Sequence, residues 1–347
     1  MDQAKKQSSP RRNTIAEIAT KAGVSIPTVS RVLNNRPDVA PETREHVERV
    51  LKENGFIRSR VAQALRHGSS GVIDLVVPDL SSPYTVEVVR GVTEAMERTD
   101  LRMALSFTHN TSQLERQWLA KVLDGATDGV ILLLARGQSK HLDELRRRKI
   151  PFVVVDHRGE LGVDVPSVGA TNWLGGRTAT EYLLSLNHRR IAILSGGGTL
   201  RCSLDRIAGY RAALESAGIP VDPALIRPGE YIQATGYEQT CALLELPEPP
   251  TAIFAGCDLQ AMGVYSALRA RGLSIPGQMS VIGFDDIQIS SMVTPTLTTI
   301  RQPLAEMGRM ATTMLLRQIA QEPLDSMRAE LTTSLVLRES CTALSAL

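Results

Sequence analysis

The sequence predicts a small all-α helix-turn-helix headpiece followed by an α/β core built on parallel sheet, and three observations carry that reading. The segment from Val24 to Asn35, VSIPTVSRVLNN, has the spacing of a helix that lies in a DNA groove. From Val72 onward, short apolar runs alternate with helical patterns of about 12–15 residues, the rhythm of βαβ units. Charge divides the chain at the same place: the first 70 residues carry 13 Lys and Arg against 7 Asp and Glu, a net +6, and the remainder is −4. A basic head on a mildly acidic body concentrates attraction to phosphate at one end of the molecule.

In the headpiece, Thr14 and Glu17 stand three apart, as a capping box needs, and open a short helix through Ile15, Ile18 and Ala19. Gly23 ends it in a tight turn. Ser25 caps the next helix and Pro27 falls in its first turn, where a missing N–H costs nothing. Val29, Val32 and Leu33 then face a small core. Thr28, Ser30, Arg31 and Asn34 are left outward, with the hydroxyl, guanidinium and amide groups that contact phosphates and base edges. A third helix runs from Pro41 to Asn54, closed by Gly55, with Val47, Val50 and Leu51 inward. A bland helical hairpin would show the same spacing; the charge asymmetry favours DNA binding.

The body is too long for one core: 347 residues at 43% hydrophobic content suggest two or three domains. The longest apolar run, Gly129 to Ala135, is far short of a membrane span, and the start, MDQAKKQSSP, is polar where a secretory signal would be apolar. These features point to a cytoplasmic protein without membrane partners. Cys202, Cys241, Cys257 and Cys341 are widely spaced with no C-x-x-C pair, so neither a disulfide framework nor a metal site is expected. Candidate strands are IDLVVP, MALSF, GVILLL, FVVVD, IAILS, AIFAG and SVIGF, with TTSLVLRES as the last strand-like stretch. One helix between them carries Val88, Val89, Val92, Ala95 and Met96 on one face, and another Ile207, Tyr210, Leu214 and Ala217, as sheet-packing helices do.

In such a fold ligands bind just past the carboxyl ends of the strands. Asp79, Asp156, Asp258 and Asp285 occupy such positions. Each alone could simply cap the helix that follows; four together suggest a polar pocket. Gly196 to Gly198 follow IAILS but match neither G-x-G-x-x-G nor a P-loop, and read as a pocket-lining loop. Neither a cofactor fingerprint nor a nucleophile–base arrangement appears among the six histidines or the glycine-rich loops, so an enzyme is not expected. A solute-binding transport protein would need a signal peptide and no basic headpiece.

Seven segments in order, TIAEIATKAGVSIPTVSRVLN, VAPETREHVERVLKENGF, RVAQAL, LVVPDLSSPY, RIAGY, SVIGFDD and PTLTTIRQP, make the chain similar to the lactose-repressor and galactose-repressor family of bacterial transcription factors over nearly its whole length. The resemblance implies a flexible basic tail over 1–13, a helix-turn-helix domain over 14–58 and a hinge helix or linker over 59–70. It implies a core over 71–347 of two doubly wound, parallel-sheet lobes shaped like periplasmic sugar-binding proteins. The N-lobe is expected at about 71–170 plus 302–329 and the C-lobe at about 171–301 plus 330–347. RVAQAL would become a helix on operator DNA, with Leu65 as an apolar wedge in the minor groove.

By the same resemblance, Ile26, Pro27 and Arg31 match base-reading positions, and Thr14, Ser25, Thr28, Ser30 and Asn34 match phosphate anchors. Arg31 suits a guanine and Ile26 a thymine methyl. Asp156, Arg206 and Asp285 match the carboxylates and guanidinium that hold an effector's polar groups, and Tyr84 and Tyr231 match walls for a ring. His157 and Arg136 are placed at the same cleft. Many sugar-responsive members have Asn-Asp where this chain has Cys257-Asp258, so a hydroxyl contact is lost or replaced at that point.

The function so implied is an effector-responsive repressor, acting as a homodimer on near-palindromic double-stranded operator DNA and nucleoid-associated when bound, with a sugar-like effector and no cofactor. CTALSAL at the end is too short for a tetramerising coiled coil. An activator or co-repressor-type regulator answering to a nucleoside is the alternative, because induction and co-repression differ only in which state the ligand prefers.

Overall fold

The computed structural model describes residues 13–33, 35–56, 69–109, 111–136 and 140–344. It divides into two compact units, Met1–Gly68 and Ser69–Leu347. Residues 1–12 of the tail expected over 1–13, Asn34, Leu65 and most of the hinge segment lie outside the described residues.

The first unit holds helices α1 (Ile15–Lys21), α2 (Ile26–Leu33) and α3 (Pro41–Glu53). Thr14 and Glu17 close the capping box reciprocally: the Thr14 N–H donates to Glu17 Oε2 at 2.7 Å, and the Glu17 N–H donates to Thr14 Oγ1 at 3.3 Å. Gly23 turns the chain between α1 and α2 at φ +62°, a conformation only glycine adopts without strain. Ser25 Oγ then accepts from the Thr28 N–H at 3.3 Å and caps α2. Ile18, Val29, Val32, Val47 and Val50 are buried together, so the apolar stripes of the three helices meet in one small core.

The second unit is two α/β lobes. The N-lobe sheet runs β11-β5-β4-β3-β1-β2, all parallel, from β1 (Val72–Val77), β2 (Arg102–Phe107), β3 (Gly129–Arg136), β4 (Phe152–Arg158), β5 (Ser167–Ala170) and β11 (Arg328–Leu331). The C-lobe sheet runs β12-β10-β9-β8-β6-β7, from β6 (Ile191–Ser195), β7 (Ile226–Pro228), β8 (Ala252–Ala255), β9 (Ser280–Asp285), β10 (Thr298–Arg301) and β12 (Ser334–Val336). Here only β12 is antiparallel to its neighbour. Both faces of each sheet are covered, which is why the central strands are near-continuous apolar runs: Ile73, Leu75 and Val77 enter one N-lobe core and Val76 the other.

The chain crosses between lobes three times, after β5, after β10 and after β11. The last crossing falls after Leu331, not at 329/330, because β11 stays paired with β5 through Leu331 opposite Ala170. Helix Leu304–Ile319, which follows the second crossing, packs Leu304, Met307, Ala311 and Leu315 into the N-lobe core, returning the chain to the lobe it started from.

Candidate functional site

The DNA-facing candidates sit on α2. Ile26, Pro27 and Arg31 are exposed, while Thr28 and Ser30 are half-buried on the same helix. Arg31 Nε lies 3.5 Å from Asp38 Oδ2, a surface pair that solvent screens. Thr14 and Ser25, expected at phosphates, hold the helix caps. The Ser25 and Thr28 hydroxyls also bond each other at 2.9 Å.

The effector candidates converge on a cavity of about 350 Å³ at the carboxyl ends of both sheets, lined from the N-lobe by Asp79, Tyr84, Leu134 and Asp156, and from the C-lobe by Cys202, Arg206, Tyr231, Cys257 and Asp285. The predicted carboxylates reach it on unusual backbone: φ is +48° at Asp156 and +113° at Asp285, conformations that cost roughly 1–3 kcal/mol each and persist where the surroundings enforce them. Leu134 is at φ +56°, and the β3–β4 ladder pairs Leu133 with Val155 and Ala135 with His157 on either side of it. Adjacent strands therefore turn together, and both turning residues line the cavity.

Arg206 is the most constrained of the group. Its helix, Arg201–Ser216, crosses helix Asn172–Ser185 so closely that a Cβ on Gly176 would lie 2.3 Å from the Arg206 carbonyl oxygen, and one on Gly209 2.1 Å from that of Trp173. The guanidinium donates from Nε to Asn172 Oδ1 at 2.9 Å and from Nη1 to the Gly256 carbonyl at 2.5 Å. It stacks on Phe284, 3.6 Å from the ring centroid, with Tyr231 at 5.4 Å on another side. Nη2 is left facing Asp285 Oδ1 at 3.9 Å, longer than a hydrogen bond. Two cavity-lining residues thus hold a donor and an acceptor too far apart to bond each other, a pairing that a hydroxyl can satisfy from both sides.

Asp285 accepts from Gln302 Nε2 at 2.6 Å, and Asp156 accepts from the Tyr84 hydroxyl at 2.5 Å. Burial raises both carboxyls, Asp285 to about 6, with Arg206 opposing the shift in each case. Burial likewise raises Cys202 to about 12 and Cys257 well above the ordinary thiol range, so both cavity thiols are neutral.

Two expectations change. His157, placed in the ligand site, is not among the cavity residues: its Nδ1 meets the Gly159 carbonyl at 2.9 Å, because the strand alternation that aims Asp156 inward aims its neighbour away. Asp258 is fully buried behind the cavity, accepting from the Ile287 N–H at 2.9 Å and the Thr299 hydroxyl at 2.6 Å, so it braces the loop after β9. The Arg136 side chain lies outside the described residues. Sequence reasoning missed Asn172 and Gln302, which orient Arg206 and Asp285. Gln302 had one signal: it lies in PTLTTIRQP, one of the seven segments that carry the resemblance.

A three-helix DNA-reading unit joined to a two-lobed core with a polar cavity defines a ligand-binding regulator of DNA. Residues 14–66 match the family described as bacterial regulatory proteins, lacI family, and residues 180–341 match the periplasmic binding protein-like domain. The chain is 32% identical over 330 residues to catabolite control protein A of Priestia megaterium, covering 94% of this chain and 98% of that protein. It is 33% identical over 327 residues to the ribose operon repressor of Halalkalibacterium halodurans, covering 94% and 96%. Among solved structures, the lac repressor dimer bound to operator and the anti-inducer ONPF superposes with a TM-score of 0.87 at 27% identity, over 96% of this chain and all of that one. The chain belongs to the lacI family of bacterial regulatory proteins and is a DNA-binding transcriptional regulator. Among the described residues, no helix is long and apolar enough to cross a membrane.

Proposed function

We propose that the protein is a cytoplasmic repressor that binds a near-palindromic operator as a homodimer and whose operator affinity is altered by a small polyhydroxylated molecule, a sugar or sugar derivative, held between the lobes of the core. One observation carries the ligand class: a buried Arg206 with a donor turned toward Asp285 from the C-lobe, and Asp156 opposite from the N-lobe, around about 350 Å³ of space. That volume suits one small molecule and no polymer. Because the polar groups come from both lobes, a ligand that bonds all three favours one lobe arrangement over another. A ligand can shift operator affinity only through such a difference. The protein works by binding, with no cofactor and no chemical step.

A thermal-shift screen of the purified protein against sugars, sugar phosphates, polyols and nucleosides tests this. A sugar that raises the melting temperature and changes affinity for a DNA duplex selected from a random pool is the expected result, with both effects lost in Asp285→Asn. The neutral Cys257 thiol and the apolar walls Leu134, Ile232, Leu259 and Ile287 favour a second reading, a nucleoside with its base against them. A blank across sugars with a nucleoside hit selects it.

A further inference from the structure

Where the described core begins, one carboxylate gathers the backbone. Asp128, at the entrance to β3, accepts from the Ser69 hydroxyl at 2.6 Å, the Ser70 hydroxyl at 3.0 Å, the Gly71 N–H at 2.8 Å and the Ser70 N–H. Its own N–H donates to the Val72 carbonyl at 2.7 Å. Ser70 Oγ in turn accepts from the Val72 N–H at 3.1 Å, and the Arg102 N–H from β2 donates to the Gly71 carbonyl at 2.9 Å. Residues 69–72 are therefore tied to the two strands flanking β1.

The strand that follows explains why this matters. β1 runs from Val72 to Val77, roughly 20 Å at about 3.3 Å per residue. Its far end leads into Pro78 and Asp79, which line the cavity. It is buried along that length between two hydrophobic cores and hydrogen-bonded to β2 and β3 on either side. A packed strand with ladders on both edges moves with its sheet. The Asp128 clamp makes the chain segment after residue 68 move with that sheet too.

We propose that Asp128 is a positioning residue of the regulatory coupling: its clamp on Ser69, Ser70 and Gly71 ties the chain leading from the DNA-binding unit to the N-lobe sheet that lines the ligand cavity. The proposal rests on the regulator reading above. It differs from a purely structural role in what it moves. A brace for the fold changes melting; a positioning residue changes DNA affinity in a protein that is still folded.

The test uses the full chain, a duplex selected from a random pool by the wild type, and three variants: Asp128→Ala, the double change Ser69→Ala/Ser70→Ala, and all three together. Asp128→Ala is expected to change duplex affinity about tenfold and the serine pair about threefold, and the triple variant to match Asp128→Ala alone, since groups in one network are non-additive. Asp128→Asn, which keeps one acceptor oxygen, is expected to fall between wild type and Asp128→Ala, and keeps the test usable should the alanine variant fail to fold. Wild-type duplex affinity in folded Asp128→Ala, or additive effects in the triple variant, overturns the proposal. A wild type that enriches no duplex overturns the regulator reading and the clamp's role with it, a result distinct from either of those.

Discussion

Arg31 and Arg206 are the same side chain placed in opposite settings. On α2, the Arg31 side chain is 53% exposed and meets Asp38 in a solvent-screened pair; in the cavity, the Arg206 side chain is 4% exposed and is held by Asn172, Gly256 and the face of Phe284. The α2 surface, where the resemblance places the DNA contacts, would meet its target with adaptable groups that leave water on binding. In the cavity, desolvation and orientation are already complete before a ligand arrives. Substitutions in the first region should therefore affect binding alone, and those in the second should affect binding and folding together.

The largest effect is expected for Arg206→Ala. It leaves Asn172 Oδ1 and the Gly256 carbonyl buried without their donor and Asp285 without its nearby positive charge, a loss of about 3–5 kcal/mol in unfolding free energy by urea titration. Arg206→Lys should recover little, because an ammonium cannot reach two acceptors in a plane while stacking on Phe284. A loss below about 1 kcal/mol would break the contrast between the two regions.

Next comes pH. Burial raises Asp285 to about 6, above its value in an unfolded chain, and burial together with the Asp285 charge raises Asp258 well above the carboxylate range. The folded state then binds protons more tightly than the unfolded one. The corresponding stability is fully present below about pH 4 and is lost as pH rises through 6. Unfolding titrations at pH 5 and pH 7 should show the wild type less stable at pH 7, with a smaller difference in Asp285→Asn. No change in slope on that substitution would mean that Asp285 does not carry the buried charge.

Arg31→Ala should cost about 1–3 kcal/mol in discrimination against mismatched duplexes while moving stability by no more than about 0.5 kcal/mol. Equal losses in folding and DNA binding would erase the distinction drawn from exposure.

The same contrast explains what the sequence reveals. The DNA unit was legible almost residue by residue, because its caps, turn glycine and apolar stripes are local: Thr14 with Glu17, Gly23, Ser25 with Thr28. The core strands from IDLVVP to SVIGF were legible as buried apolar runs. β5 (SVGA), β7 (IRP), β10 (TTIR) and β11 (RAEL) were not. Thr298 and Thr299 of β10 are buried through side-chain hydrogen bonds to the Arg338 N–H and Asp258, and β11 is a half-exposed edge, so neither shows an apolar signal. In the cavity, strand-end carboxylates could be listed from sequence, but which one turns inward depends on backbone φ at a single residue. Asp156 and Asp285 turn in; Asp258 is spent on Thr299 and Ile287, partners far from it in sequence.

Thr14 gives the smallest expected effect and the sharpest discrimination, because one hydroxyl is assigned two duties: helix cap in the structure, phosphate anchor by resemblance. Thr14→Ala removes both, and should lower the stability of the DNA unit by about 1 kcal/mol, read as faster hydrogen exchange at the Glu17 and Ile18 amides with the core unchanged. Thr14→Asp separates the duties. An aspartate caps as well as threonine and is favoured at a helix N-terminus, so protection should return. Its negative charge beside a phosphate should still weaken duplex binding, more so at low salt, where repulsion is least screened. Restored exchange protection with wild-type DNA affinity would leave Thr14 as a cap only and move the phosphate contact elsewhere.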